Sequence, residues 1–165
     1  MRTRRHEYLA AGPLSLSLDW DNGVLLQLHV DWSNGKHADT TLSDAGQRIQ
    51  ECLEQYVRGE RIEWPRVPLA LHDKTPFLQK VYTTLRDTVH YGETISYGEL
   101  AARAGSPKAY RAIGTAMGRN PWPVLVPCHR VLSSSGLGGF SAGLDIKRLL
   151  LELEGHAPAT DRRFR

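Results

Sequence analysis

Cysteine is scarce in this chain of 165 residues: there are two, Cys52 and Cys128, and no CxxC pair. That argues against a disulfide framework and a structural zinc site, and reduced thiols are the expectation. Long apolar runs are missing too, none approaching the roughly 18 residues that a membrane span needs. The basic opening MRTRRHEYLAAGPLS has no uninterrupted apolar stretch of the kind a secretory signal carries. We therefore expect a cytoplasmic protein with no membrane partner. Acidic residues are nearly absent from one region. Between 100 and 148 stand Arg103, Lys108, Arg111, Arg119, Arg130, Lys147 and Arg148 against a single acid, Asp145. A local excess of this kind fits either a polyanionic partner or a solvated basic face.

What is present reads as two parts, with 41% hydrophobic residues to build their cores. In PLSLSLDWDNGVLLQLHVDW, Leu14, Leu16, Leu18 and Trp20 alternate, and Val24, Leu26, Leu28, Val30 and Trp32 alternate again beyond Asn22-Gly23. A period of two interrupted by Asn-Gly predicts a β-hairpin. Over 42–59 the period becomes helical, with Ile49, Cys52, Leu53, Tyr56 and Val57 on one side and Gly59 at the end. Cys52 is thus expected to be a core residue. Residues 61–75 read as an extended edge segment and linker, which places a boundary near 75.

The second part opens with Phe77, Val81, Tyr82, Leu85 and Val89 at helical spacing. SYGELAARAG then offers Ser96 as N-cap with Glu99 three residues on, a capping box, and Gly105 as the stop. SPKAYRAIGTAMGRN offers Ser106 as a second N-cap, Pro107 in the first turn and a helix over 107–118 ended by Asn120-Pro121. Two short helices joined by a tight turn predict a helix-turn-helix. On the second helix Ala109, Ile113 and Met117 form an inward stripe, while Lys108, Arg111, Thr115 and Arg119 face out. Gly114 and Gly118 would cost up to about 1 kcal/mol each against alanine, so a close neighbour is expected there, either the adjacent helix or DNA. Next, Val124-Leu125-Val126 predicts a buried strand that delivers Pro127-Cys128-His129-Arg130. A Ser/Gly loop over 133–143 and a last helix over 144–154 ending at Gly155 complete the pattern. A cysteine attacks as thiolate and needs a base or a positive charge nearby. On an extended strand His129 would reach Cys128 only through a water or a turn. The dipeptide alone leaves an inert buried thiol open.

Residues 76–155 resemble the O6-alkylguanine DNA alkyltransferases, through YGETISYGELA, GSPKAYRAIGTAM, NPWPVLVPCHRV and SSGLGGFSAGLDIKRLLLELEG in family order. The resemblance implies an α/β protein, in which an N-terminal sheet-plus-helix domain (1–75) precedes a mainly helical DNA-binding and transfer domain (76–155) and a tail (156–165). It implies that Cys128 accepts the alkyl group irreversibly. His129 would take the thiol proton, Glu154 would orient His129, and Tyr97 would donate to the leaving guanine. Ser141, Lys147, Asn120, Phe140 and Met117 would form the substrate-binding set, with Asn120 bracing the turn before the cysteine. Arg111, Lys108, Tyr110, Thr115 and Arg119 would meet DNA, with Arg111 filling the place of a flipped nucleotide. The implied partner is double-stranded DNA containing O6-alkylguanine, with no cofactor and no metal, and the protein is expected to be a monomer. Three departures stand out: Tyr110 where a small residue is common, Phe140 where tyrosine is common, and a loop near Gly138-Gly139 one residue short. Two rival readings remain, a thiol hydrolase and a non-catalytic damage sensor.

Overall fold

The structure, a computed structural model, describes residues 1–156. The tail expected from 156 therefore lies outside the described residues except for His156. The chain separates into two compact units. The first holds Met1–Ala70 and takes in Pro121–Leu125, and the second holds Leu71–Asn120 and the chain from Val126 onward.

The first unit is an antiparallel sheet of β1 (Arg4–Ala11), β2 (Leu14–Asp21) and β3 (Val24–Trp32), with β2 central, followed by helix α1 (Asp44–Val57). Asn22 and Gly23 both have positive φ, 50° and 78°, which makes the expected two-residue turn. The sequence pattern missed β1, because its first three residues, Arg4, Arg5 and His6, are polar and exposed and its inward positions do not begin until Glu7. The alternation read along β3 also needs correction. Asp19 pairs with Gln27 but Trp20 pairs with Leu25, so Leu26 is an extra, bulged residue. Leu25 consequently turns inward and is fully buried, whereas Trp32 is 39% exposed.

Helix α1 starts at Ser43, whose hydroxyl accepts from the Gly46 N–H, and buries Ile49, Leu53 and Tyr56. Cys52 is only half-buried, with Sγ 3.6 Å from the Glu63 carbonyl, and so is not the core residue expected. It sits one step round the helix from the buried stripe. Gln50 on α1 bonds both main-chain groups of Ala10, accepting from N–H at 3.2 Å and donating to C=O at 2.9 Å. This side chain does for the β1 edge what a further strand would do. The far edge, β3, is covered by the 68–70 segment, through Leu25 N–H to Pro68 O (2.8 Å), and by Trp122, which donates to Leu25 O (3.0 Å).

The second unit is mainly helical, with α2 (Pro76–Thr88), α3 (Tyr97–Arg103), α4 (Tyr110–Gly118) and α5 (Leu144–Leu153). A short parallel pair, β4 (Ile95–Ser96) with β5 (Val131–Leu132), was not expected from the sequence. It pairs residues some 36 positions apart, which no local pattern reveals. The core includes Val81, Leu85, Leu100, Ile113, Leu150 and Leu151, each at most 0% exposed. Among the described residues no helix is long and apolar enough to cross a membrane.

Candidate active site and nucleic-acid-facing helix

Helix α3 begins with the expected capping box, Ser96 and Glu99 each bonding the other's main chain at 3.0 Å. Helix α4 does not begin as expected. Ser106 is not its cap: the Ala109 N–H donates to Ser106 O at 2.9 Å, closing a separate turn, and the helix starts at Tyr110. Pro107, with φ fixed near −65°, suits the second position of such a turn and Ser106 the first. Lys108 therefore projects from the turn and not from the helix. Tyr110, Arg111, Thr115 and Arg119 are exposed, and the Arg111 guanidinium lies 5.9 Å from the centre of the Tyr110 ring. Ile113 and Met117 are buried and Ala109 half-buried. Gly114 has a close protein neighbour, since a Cβ there would lie 3.7 Å from the Tyr97 ring. A Cβ at Gly118 would meet nothing within 4 Å, so helix packing gives no reason for that glycine.

From α4 the chain turns sharply. The 124–126 run is buried as expected but is not a strand, because Val124 adopts φ 67°, the left-handed region that a β-branched residue avoids. Asn120 holds the turn together, its side-chain N–H donating to Val126 O at 2.8 Å. Cys128, His129 and Arg130 then form a single 3-10 turn, not an extended strand. The turn brings consecutive side chains into one polar cluster that a strand would have split between two faces.

That cluster is removed from water. His129 and Lys147 are 0% exposed, Cys128 1%, and Arg130 and Glu154 5%. His129 Nε2 lies 2.8 Å from Glu154 Oε1. Arg130 grips the same carboxylate twice, Nε to Oε2 at 2.9 Å and Nη2 to Oε1 at 2.8 Å, and donates through Nη1 to Val89 O at 2.9 Å. Burial alone would push Glu154 up, but His129 and Arg130 beside it hold it well below the usual carboxylate range. Glu154 is thus an anion and accepts from His129 Nε2–H. Burial pushes the His129 imidazole down against the pull of Glu154, leaving the ring neutral. Its other nitrogen, Nδ1, is buried and has no hydrogen-bond partner among the described residues. The result is a base with its lone pair unused. Burial pushes the Cys128 thiol up to about 11, opposed by the Asn120 hydrogen bond and the Lys147 charge, so the resting sulfur is protonated.

Lys147 donates to three main-chain carbonyls, Val131 O (2.8 Å), Leu137 O (2.5 Å) and Gly139 O (3.1 Å). Burial pushes its ammonium down to about 8. Two of these bonds tie α5 to the 133–143 loop and the third ties it to β5. On the other side of that loop the Gly139 N–H donates to the Tyr97 hydroxyl at 3.3 Å. Gly138, at φ 73°, could carry no side chain there, since a Cβ would stand 2.5 Å from the Tyr97 oxygen. Phe140 is half-buried and Ser141 exposed on the same loop. Among the described residues no group of three or more His, Cys, Asp and Glu side chains converges as a metal site requires.

The structure thus gathers Cys128, His129, Glu154, Asn120 and Lys147 in one cluster, sets Tyr97 against the adjoining loop, and leaves the α4 residues on an exposed face. It corrects the reading of the basic region: Arg130 and Lys147 are interior residues, and Arg148 is paired with Asp145 at 3.3 Å. The exposed cations there are Arg103, Lys108, Arg111 and Arg119. Sequence reasoning missed Arg130 as a member of the site. Its one signal was position, a lone arginine between Val126-Pro127 and Val131-Leu132. Tyr82 was also missed. It is buried, donates to Ala116 O in α4 at 2.9 Å, and is pushed up to about 12 by burial and by Cys128 nearby.

A buried Cys-His-Glu cluster in the same unit as an exposed, cation-bearing second helix of a helix-turn-helix defines a class: proteins that combine a thiol-centred site with a DNA-binding helical motif. Residues 76–156 match the family described as 6-O-methylguanine DNA methyltransferase, DNA binding domain. The methylated-DNA–protein-cysteine methyltransferase of Metallosphaera sedula is 41% identical over 146 residues, 87% of each chain. That of Haemophilus influenzae is 43% identical over 109 residues, 66% of this chain and 60% of its own length. A crystal structure of Mycobacterium tuberculosis OGT in complex with DNA superposes with a TM-score of 0.71 at 37% identity, over 92% of this chain and 91% of that one. The chain belongs to the methylated-DNA–protein-cysteine methyltransferase family.

Proposed function

We propose that this protein repairs DNA by moving an alkyl group from O6 of a damaged guanine onto Cys128, once and irreversibly. The observation that carries the reading is the unpartnered Nδ1 of His129, in the same buried turn as Cys128, on a ring whose Nε2–H is fixed by Glu154. A thiol attacks carbon only after losing its proton, and this nitrogen is positioned to receive it, directly or through one water. The thiolate then forms the S–C bond while the C–O6 bond breaks and its electron pair stays with the base. Tyr97 supplies a proton to the departing guanine, and the proton held by His129 is passed by way of solvent to the Tyr97 phenolate, which restores both groups. The products are guanine and a neutral thioether, which no residue of the site can reopen.

The remaining residues serve access to the base. Lys147 holds the 133–143 loop as one wall, with Phe140, Ser141 and Met117 completing the base-binding set and Asn120 fixing the turn before Cys128. The O6 atom is out of reach in a stacked duplex, so the nucleotide must be flipped at a cost of a few kcal/mol, least for a damaged pair. Arg111 fills the vacated place, and Lys108, Tyr110, Thr115 and Arg119 contact the backbone. The partner is double-stranded DNA carrying O6-alkylguanine, met by a monomer in the cytoplasm. The test is intact-protein and peptide mass after incubation with O6-methylguanine duplex. One methyl group on Cys128, absent in Cys128→Ser and retained in Cys52→Ser, is the expected result. A methyl on Cys52, turnover of an ester or amide, or binding without modification would each overturn the reading.

A further inference from the structure

We propose that Arg130 is a positioning residue for the transfer: by occupying both oxygens of Glu154 it keeps His129 an un-ionised imidazole, ready for the proton of Cys128 and closed to protons from solvent. This rests on the reading of Cys128 as alkyl acceptor.

The argument is one of charge in a site buried away from bulk solvent. The charged groups acting on His129 are Lys147 from α5, Glu154 at its C-cap and Arg130 from its own turn, while the end of α2 contributes the Val89 carbonyl, which Arg130 occupies. With Glu154 alone as partner, the imidazole would be drawn toward imidazolium, since a buried anion stabilises a cation at 2.8 Å. An imidazolium has no lone pair and cannot act as a base. Arg130 has already neutralised that carboxylate, through two bonds at 2.8 and 2.9 Å. A proton arriving from solvent would therefore leave an uncompensated positive charge beside Lys147 in the interior, which is costly. A proton arriving from Cys128 leaves a thiolate behind, so the net charge of the site is unchanged. Arg130 thus separates two sources of the same proton.

Two further observations support this. Glu154 is the C-cap of α5, where the helix dipole disfavours an anion, so a cation must hold it there. The guanidinium fork also matches both carboxylate oxygens at once, which a lysine cannot do. A purely structural role, stapling the ends of α2 and α5, would use the same bonds but would not touch the proton affinity of His129.

The experiment is the pH dependence of single-turnover alkylation of Cys128 by free O6-benzylguanine, which needs no DNA, in the wild type, Arg130→Gln and Arg130→Lys. Arg130→Gln keeps a donor and loses the charge. Its acid limb should move up by about one pH unit, making the loss at pH 6 about tenfold greater than at pH 8.5. Arg130→Lys keeps the charge and should leave the limb in place while slowing the plateau. Equal slowing of both variants at every pH would overturn the proposal and leave Arg130 a staple. If either variant fails to fold, nitrogen NMR of the wild-type His129 ring decides: a neutral ring with the proton on Nε2 at pH 7 supports the proposal, and an imidazolium overturns it. Should the wild type take up no benzyl group, the transfer reading fails, and the ring titration still decides what Arg130 does to His129.

Discussion

Each unit buries a glutamate, and the two are satisfied differently. Glu7 in β1, 0% exposed, accepts from the Trp20 indole at 2.8 Å, from the Ser43 hydroxyl at 3.1 Å and from the Ser43 N–H, and pairs with Arg5 at 2.9 Å. Its oxygens are all engaged by these donors, and the result is a clamp between the sheet and the start of α1. Glu154 accepts from Arg130 and His129, but the imidazole it holds has a second nitrogen with no partner among the described residues. A buried polar atom without a partner costs about 1–3 kcal/mol. A network that closes on itself stabilises a fold. One that stops at an unused lone pair, in the same turn as a thiol, retains a capacity for chemistry at the expense of stability.

That contrast can be broken or sharpened. Glu154→Gln should lower the single-turnover rate about a hundredfold, the low end of general acid–base effects, with DNA binding little changed. The same substitution should alter acid stability. Glu154 is held below its ordinary 4.5, so its contribution is complete above about pH 4.5 and is lost as pH falls further. Chemical unfolding of the variant should show less of that acid loss. An unchanged rate would place Glu154 with Glu7 as structural.

Gly46→Ala tests the other glutamate. A Cβ there would lie 2.5 Å from Glu7 Oε2, so the clamp must shift, at a cost of about 1–3 kcal/mol. Urea unfolding should show that loss while the rate at which the folded protein takes the benzyl group from free O6-benzylguanine stays at the wild-type value. A matching loss of rate would mean that the two networks are not separable.

Arg111→Ala lies outside both networks and should slow repair of duplex substrate about tenfold, single-stranded substrate less, and free base hardly at all. That order follows if the guanidinium replaces a flipped nucleotide. Equal loss on all three substrates in single-turnover assays would put Arg111 in the chemistry or the fold. Tyr110→Ala should have the smallest effect. The loss of an exposed ring worth about 0.5–1 kcal/mol should weaken duplex affinity two- to fivefold. The salt dependence should not change, because no cation is removed. Tighter binding by the variant would show the ring to be an obstruction.

Elements whose cause is local could be read in advance. The Asn22-Gly23 turn, the Ser96–Glu99 capping box and the buried stripe of α1 each depend on residues within four positions of one another. Where distant partners decide, the pattern failed. Strand β1 is polar for half its length and exists because β2 pairs with it, and Leu25 turns inward because of a bulge set by its partner strand. Val124 was read as strand because it is apolar and β-branched, but Asn120 closes the segment into a turn.

The candidate site divides the same way. The sequence alone determined that Cys128 stands within Pro-Cys-His-Arg, that a helix-turn-helix precedes it, and that the segments follow a family order. Only the tertiary structure decided which cations face water and which do not. A charge can leave water only where a partner awaits it, and for Arg130 that partner is the carboxylate of Glu154, 24 positions further along the chain. Lys147 instead finds three carbonyls between 8 and 16 positions back. Such partners are brought together by the packing of α5 against the 128–130 turn and by the folding back of the 133–143 loop, so the bonds cannot be read from a motif even where both ends fall within one.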